Sequence, residues 1–97
     1  MNDFQRKIQA WMDYRQLSGN HHFYTREQWN ARGETIGNNA SLTLVTEGRL
    51  QRALCGYCDD SAEIEEELQK ICDRNDWHYE IGYSWSIHFY EYSYVPS

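Results

Sequence analysis

Residues 77–92 have the clearest structural pattern in the chain, with the sequence Trp-His-Tyr-Glu-Ile-Gly-Tyr-Ser-Trp-Ser-Ile-His-Phe-Tyr-Glu-Tyr. From residue 77 to residue 89, every odd position is apolar or aromatic. Because neighbouring side chains of a strand point to opposite faces, this alternation predicts a β-strand with one face against a core. One continuous strand of this length would be about three times the usual ~5–6 residues, so we expect a kink at Gly82.

The rest of the chain predicts an α+β protein with the element order α-α-β-β-α-β. Helices are indicated where apolar residues recur at helical spacing, and strands where short apolar stretches lie between turn residues. The expected helices are 3–16, 26–35 and 61–74, and the expected strands are 41–46, 49–55 and 77–92.

Local signals fix the starts of two of these helices. Thr25 and Gln28 form a capping-box pattern, and Tyr24 and Trp29 occupy the positions of a hydrophobic staple. Asp60 and Glu63 have the same spacing at the start of the helix 61–74. Residues 21–22, two adjacent histidines, are expected in a polar loop before the second helix.

The segment 49–55 is open to two interpretations. Leu50, Ala53, Leu54 and Tyr57 also fit one face of a helix. We favour a strand, because the strand 41–46 needs a partner. Pairing the last strand beside 41–46 then gives a three-stranded antiparallel sheet, in the order 2-1-3, with all the helices on one face.

Length and charge limit the possible functions. Ninety-seven residues predict one domain, 1–97, with 94–97 as a loose tail. The net charge is −6, and it is uneven: residues 1–49 have six bases and five acids, whereas residues 50–97 have three bases and ten acids. This acidity disfavours direct binding to nucleic acid.

The sequence predicts a cytoplasmic protein with no membrane partner. It contains no apolar run long enough to cross a bilayer, and it does not begin with the pattern of a signal peptide. Three cysteines are an odd number, which argues against a complete disulfide framework and favours reduced thiols.

The first candidate site is Cys55-Gly-Tyr-Cys58, whose two thiols have the spacing of a redox disulfide or of a zinc ligand pair. The tetrapeptide resembles the active-site motif of thioredoxin-like oxidoreductases. However, Asp59 and Asp60 would disfavour a thiolate beside it. Cys72 and His78 could complete a zinc set with Cys55 and Cys58, although Cys72 lies on an apolar stripe and is more simply a buried hydrophobe.

The second candidate site is an acidic run that contains six carboxylates in nine residues, namely Asp59, Asp60, Glu63, Glu65, Glu66 and Glu67. Helical side chains four residues apart are separated by ~6 Å along the axis, which is comparable with phosphate spacing along a nucleic-acid strand. Such a row can occupy a groove lined by Arg and Lys. The alternative is the solvated face of an amphipathic helix.

The third candidate site consists of tyrosines on the even face of 77–92, because exposed tyrosines are common interface residues. Tyr90, Tyr92 and Tyr94 belong to it, with His88 beside them. A regulatory adaptor that uses this tyrosine face is one alternative function, and a zinc- or thiol-dependent protein built on Cys55 and Cys58 is another.

No nucleophilic triad, phosphate-binding loop or metalloprotease motif is present, so we expect a binding protein without enzymatic activity or a cofactor. In size, acidity and lack of motifs the whole chain resembles the small proteins that phages use against host defence. Among these it is similar to acidic anti-CRISPR proteins that block DNA binding by a type I surveillance complex. The resemblance implies an inhibitor of Cas proteins that acts in the host cytoplasm.

Overall fold

The computed structural model describes residues 3–91, so Tyr92, Tyr94 and the tail 94–97 lie outside the described residues. Within this range the chain is α+β, as predicted. The elements are α1 (Asp3–Tyr14), β1 (His21–Thr25), α2 (Arg26–Ala31), β2 (Leu42–Thr46), α3 (Arg49–Leu54), α4 (Ser61–Arg74), β3 (Trp77–Ile81) and β4 (Ser86–Glu91).

The sheet is antiparallel throughout, but it has four strands in the order β1-β2-β4-β3 instead of three in the order 2-1-3. The expected pairing of 41–46 with the last stretch is present between β2 and β4. The prediction of a strand at 49–55 was wrong, because this segment forms α3. The loop expected at residues 21–22 was also wrong, because they begin the edge strand β1, which is the second partner of β2.

Residues 77–91 form a hairpin and not one kinked strand. Gly82 N donates to Ser86 O at 3.0 Å, and Ser86 N donates to Tyr83 O at 3.0 Å, which closes the turn between β3 and β4. Ile81 pairs with Ile87, and both positions are odd. Since cross-strand partners point to the same face, the odd side chains of β3 and β4 lie on one face of the sheet, whereas Trp85 in the turn lies 6.4 Å from Trp29 of α2.

The main core lies between one face of the sheet and three helices, α1, α3 and α4. Phe4 joins these layers, because its ring stacks on Trp77 at 4.2 Å and meets the edge of Phe89 at 5.2 Å. The side chains of this core include Ile8, Met12, Leu17, Leu42, Leu44, Leu50, Ala53, Ile64, Leu68, Cys72 and Ile87.

The opposite face of the sheet is covered by α2 and the segment that follows it. The prediction that all helices share one face was therefore wrong. Trp29 of α2 is buried, and its ring lies 5.3 Å from that of His88 on β4. Its indole Nε1 donates to Ile36 O at 2.7 Å, which ties the segment after α2 to the same layer.

The capping box and the staple of α2 are confirmed. Gln28 N donates to Thr25 Oγ1 at 3.1 Å, Thr25 N donates to Gln28 Oε1 at 2.9 Å, and the rings of Tyr24 and Trp29 are 5.7 Å apart. The helix ends at Ala31 and not at residue 35. Gly33 has a φ of +82°, a conformation that glycine adopts without strain.

The helix 61–74 is confirmed over its predicted range, but Asp60 does not cap it through its side chain. The helix α1 ends at Tyr14, two residues earlier than expected, where Gln16 adopts a φ of +58°. None of the helices within residues 3–91 combines the length and the hydropathy needed to cross a membrane.

Candidate functional site

The acidic run occupies the start of α4 and the turn before it. Glu63, Glu66 and Glu67 are spaced by three and four residues, so they share one face of the helix. Glu65 lies across the helix, where its negative charge adds to burial in raising the pKa of Tyr79 on β3. The run is therefore divided: Glu63, Glu66 and Glu67 share one face of α4, and Glu65, which is also exposed, lies outside that face.

Arg15 of the segment after α1 binds two of these carboxylates. Its Nη2 donates to Glu63 Oε1 at 2.7 Å and also to Glu67 Oε2, and its Nε donates to Glu67 Oε1 at 2.8 Å. Trp11 Nε1 donates to the same Glu67 oxygen at 2.9 Å. The hydrogen bonds from Arg15, followed by the one from Trp11, lower the pKa of Glu67 to about 2. The bonds to Glu67 and Glu63 raise the pKa of Arg15.

Asp60 and Glu66 also have cationic partners. Arg49 Nη2 donates to Asp60 Oδ2 at 2.7 Å, and Arg49 Nη1 donates to Arg15 O at 2.9 Å. This pairing explains why Asp60 does not cap α4. Lys70 Nζ lies 3.1 Å from Glu66 Oε1 one turn along the helix.

The carboxylates of the run differ in how available they are to a partner. Glu67 is held by three hydrogen bonds and has a side chain only 33% exposed, whereas the side chains of Glu63 and Glu66 are 63% and 67% exposed. Asp59 is exposed and, among residues 3–91, forms no ion pair. We define the outer acidic face as Asp59, Glu63 and Glu66.

The cysteine residues do not form the zinc set that was the alternative interpretation of Cys55 and Cys58. Cys55 is exposed, Cys58 is half-buried and Cys72 is completely buried in the main core. Burial raises the pKa of the Cys72 thiol to about 12, so it stays protonated at neutral pH. In the part of the chain that the structure describes, no group of three His, Cys, Asp or Glu side chains could hold a metal ion.

Of the three tyrosines in the third candidate site, the structure describes Tyr90. Tyr90 is half-buried and its ring stacks on that of His78, at 4.9 Å and an interplanar angle of 12°. Burial raises the pKa of Tyr90, and both the charge of Glu80 and a hydrogen bond to it add to this effect. His88, placed with the tyrosines by its even position, is buried and unavailable to a partner.

His88 instead forms a buried polar network that sequence reasoning missed. Its Nδ1 is 3.0 Å from Thr43 Oγ1 and its Nε2 is 3.0 Å from Ser86 Oγ, and all three residues are buried. Burial lowers the pKa of His88. The polar even positions of 77–92 suggested solvent, and the signal that could have indicated a second covered face was the small residues Gly82 and Ser86, both of which lie against the His88 ring.

A groove between α1 and α4 was also missed. It encloses about 220 Å³ and is lined by Trp11, Tyr14, Glu67, Lys70, Ile71 and Arg74. Lys7 of α1 lies at the C-terminal end of α4, where its Nζ donates to Asn75 Oδ1 at 2.5 Å. The possible signal in the sequence was Tyr14, an aromatic residue that falls outside the apolar stripe of α1. In the structure Tyr14 is 84% exposed.

No protein-family model matches this sequence, and no curated protein or solved structure is significantly similar to it.

Proposed function

We propose that this chain is a binding protein whose outer acidic face occupies a basic, nucleic-acid-binding groove on another protein. In this mechanism the carboxylates of Asp59, Glu63 and Glu66 take the place of phosphates. Arg and Lys side chains that normally hold the polyanion then bind the inhibitor. Because the chain resembles acidic anti-CRISPR proteins, we propose as its target a type I surveillance complex that would otherwise bind DNA.

The observation that carries the proposal is the placement of exposed carboxylates on one rigid element. Glu63 and Glu66 are separated by one helical turn, and Asp59 lies just before the helix begins. Ile64 and Leu68 hold the helix against the main core, where both side chains are completely buried. Fixed charges bind with less loss of conformational freedom than charges on a mobile segment.

The ion pairs within the chain reduce the local charge but do not remove the face. Lys70 and Glu66 form an exposed pair, and exposed pairs of this kind contribute only about 0–1 kcal/mol. A cationic groove can therefore replace Lys70 at small cost. Arg15 pairs both with Glu63, a member of the face whose side chain is still 63% exposed, and with Glu67, and its bonds to Glu67 join α4 to the end of α1.

A charge-reversal comparison tests the proposal. The double variant Glu63→Lys, Glu66→Lys removes two members of the outer acidic face, and Glu27→Lys, Glu47→Lys makes the same change in net charge at exposed positions elsewhere. Displacement of labelled target DNA from a purified type I surveillance complex is measured for each. We expect the first variant to need at least tenfold more protein for half displacement and the second to match the unaltered chain.

Salt dependence gives a second measurement with the same complex. If carboxylates substitute for phosphates, binding weakens steeply as ionic strength rises, because exposed charges are screened over ~10 Å at 0.1 M salt. Equal losses in the two double variants would contradict the proposal, since net charge and not the outer acidic face would then decide binding. Failure of the unaltered chain to displace DNA would contradict the proposed target.

A further inference from the structure

The geometry points to a second binding surface, the groove between α1 and α4, which would accept a partner segment that places one large apolar side chain beside a carboxylate. This surface has the opposite charge preference to the outer acidic face. It therefore goes beyond the proposed function and does not depend on it.

The charge of the groove is the first argument. Its lining contains Lys70 and Arg74, and Arg74 forms no ion pair among residues 3–91. Glu67 is the single carboxylate in the lining, and its oxygens are already bound by Arg15 and Trp11. Lys70 is paired with Glu66, so the cation that the groove offers without an ion pair in the described part of the chain is the Arg74 guanidinium, which favours an acidic occupant.

The apolar walls are the second argument. Trp11 and Ile71 line the groove, and Tyr14 projects beside them with 84% of its surface exposed. Aromatic side chains next to an apolar pocket are typical of the central residues of protein interfaces. A hydrocarbon side chain inserted between Tyr14 and Ile71 would remove apolar surface from water on both partners.

The size of the groove favours one side chain of a partner's polypeptide segment over a free small molecule. Small-molecule sites usually enclose ~300–1,000 Å³ and bury most of the ligand. A volume of about 220 Å³ is below this range and suits one large side chain. The acidic group next to that side chain would then reach Lys70 or Arg74 at the end of the groove.

Three short peptides test the inference by NMR on the ¹⁵N-labelled chain. They are acetyl-Glu-Phe-Glu-amide, acetyl-Lys-Phe-Lys-amide and acetyl-Glu-Ala-Glu-amide. The indole N–H of Trp11 is a specific reporter, because it lies in the groove and donates to Glu67. We expect saturable shifts at Trp11 and Ile71 with the first peptide, with a dissociation constant of about 1 mM, and at least tenfold weaker binding of the other two.

Matched variants locate the binding. Tyr14→Ala should weaken binding of the first peptide at least fivefold, whereas Tyr57→Ala, which removes a tyrosine that is 82% exposed elsewhere, should leave it unchanged. Arg74→Glu should abolish binding, and Arg52→Glu on α3 should not. All four positions are exposed, so the fold is expected to persist in each variant.

Three results would overturn the inference. They are no shift at Trp11 with the first peptide, equal shifts with the Lys-containing peptide, or equal shifts with the Ala-containing peptide. The variant Asp59→Lys separates this surface from the proposed function. It changes a member of the outer acidic face that forms no ion pair among residues 3–91, so groove binding should survive in it even if DNA displacement is weakened.

Discussion

The two faces of the sheet are both buried, but they are filled in different ways. On the face toward α1, α3 and α4, apolar side chains meet across the strands. Leu44 pairs with Ile87, Leu42 pairs with Phe89, and all four are at most 2% exposed. Such packing is non-directional, and its stabilisation depends mainly on the apolar area removed from water.

On the face toward α2, the central positions are polar. Thr43, Ser86 and His88 are at most 1% exposed and satisfy one another through hydrogen bonds. Because an unsatisfied buried polar group costs about 1–3 kcal/mol, this face depends on the direction of each bond. The comparison shows that the two faces are equally buried by different contacts. Non-directional apolar packing fills one face, and directional hydrogen bonds between polar side chains fill the other.

The largest effect is expected on the apolar face. Phe89→Ala should lower the free energy of unfolding by about 3–5 kcal/mol, since a fully buried ring is replaced by a cavity. Urea denaturation monitored by circular dichroism measures the change. Tyr57→Ala serves as the control, with an expected change within ~0.5 kcal/mol because the ring is exposed. A loss below about 1 kcal/mol for Phe89→Ala would contradict the described core.

The apolar face could be predicted from sequence because alternation reports it directly. The inward placement of the odd positions is confirmed for Trp77, Ile87 and Phe89, but it was wrong for Ile81, which is 45% exposed, and for Trp85, which lies beside Trp29. The hairpin could not be predicted in the same way. Ile81 and Ile87 pair at positions of the same parity, so the chain reverses without interrupting the pattern. Periodicity alone cannot distinguish such a reversal from one long strand.

Partners distant in the sequence explain the other errors. The segment 49–55 was assigned to a strand because 41–46 needed a neighbour, but β2 obtains its neighbours from residues 21–25 and 86–91. Likewise, the acidic side chains on one face of α4 could be predicted from their spacing, whereas their pairing with Arg15 could not. Glu63 and Glu67 are separated from Arg15 by 48 and 52 residues.

A smaller effect is expected where the polar face is closed by glycine. Gly37 has a φ of +76°, and a Cβ atom at this position would overlap the imidazole of His88. Gly37→Ala should therefore lower the free energy of unfolding by about 3 kcal/mol, through backbone strain together with displacement of His88. Thermal denaturation followed by circular dichroism measures it.

Gly33 gives a matched control for that substitution. Its φ is +82°, but a Cβ atom there would contact no other residue. Gly33→Ala should cost only about 1 kcal/mol, which is the strain of the left-handed backbone alone. Equal losses in the two variants would show that His88 and its network do not constrain this side of the sheet.

The smallest effect is a pH dependence that arises from His88 on the polar face. Burial lowers the pKa of His88 below its ordinary value of 6.5, and the negative charge of Glu80 opposes part of this change. Between the lowered pKa and pH 6.5, the unfolded chain binds a proton more readily than the folded chain. The contribution of His88 to stability is therefore complete above pH 6.5 and is lost as the pH falls through its folded pKa.

This dependence can be separated from the other shifted groups. The pKa of Glu67 is lowered from 4.5 to about 2, so the loss of its contribution is confined to pH values below about 4.5. We expect the free energy of unfolding to fall between pH 6.5 and pH 5 in the unaltered chain and in His22→Gln, which changes an exposed position on β1. The fall should be smaller in His88→Gln.

An NMR titration of the unaltered chain gives an independent test, because an imidazole of His88 that titrates at or above pH 6.5 would contradict its burial in a polar network. Another imidazole, that of His21, lies on the apolar side of β1, where its Nε2 is 2.8 Å from Gln9 Oε1. The comparison of His88→Gln with the unaltered chain, and not the pH dependence alone, therefore assigns the loss of stability to the polar face.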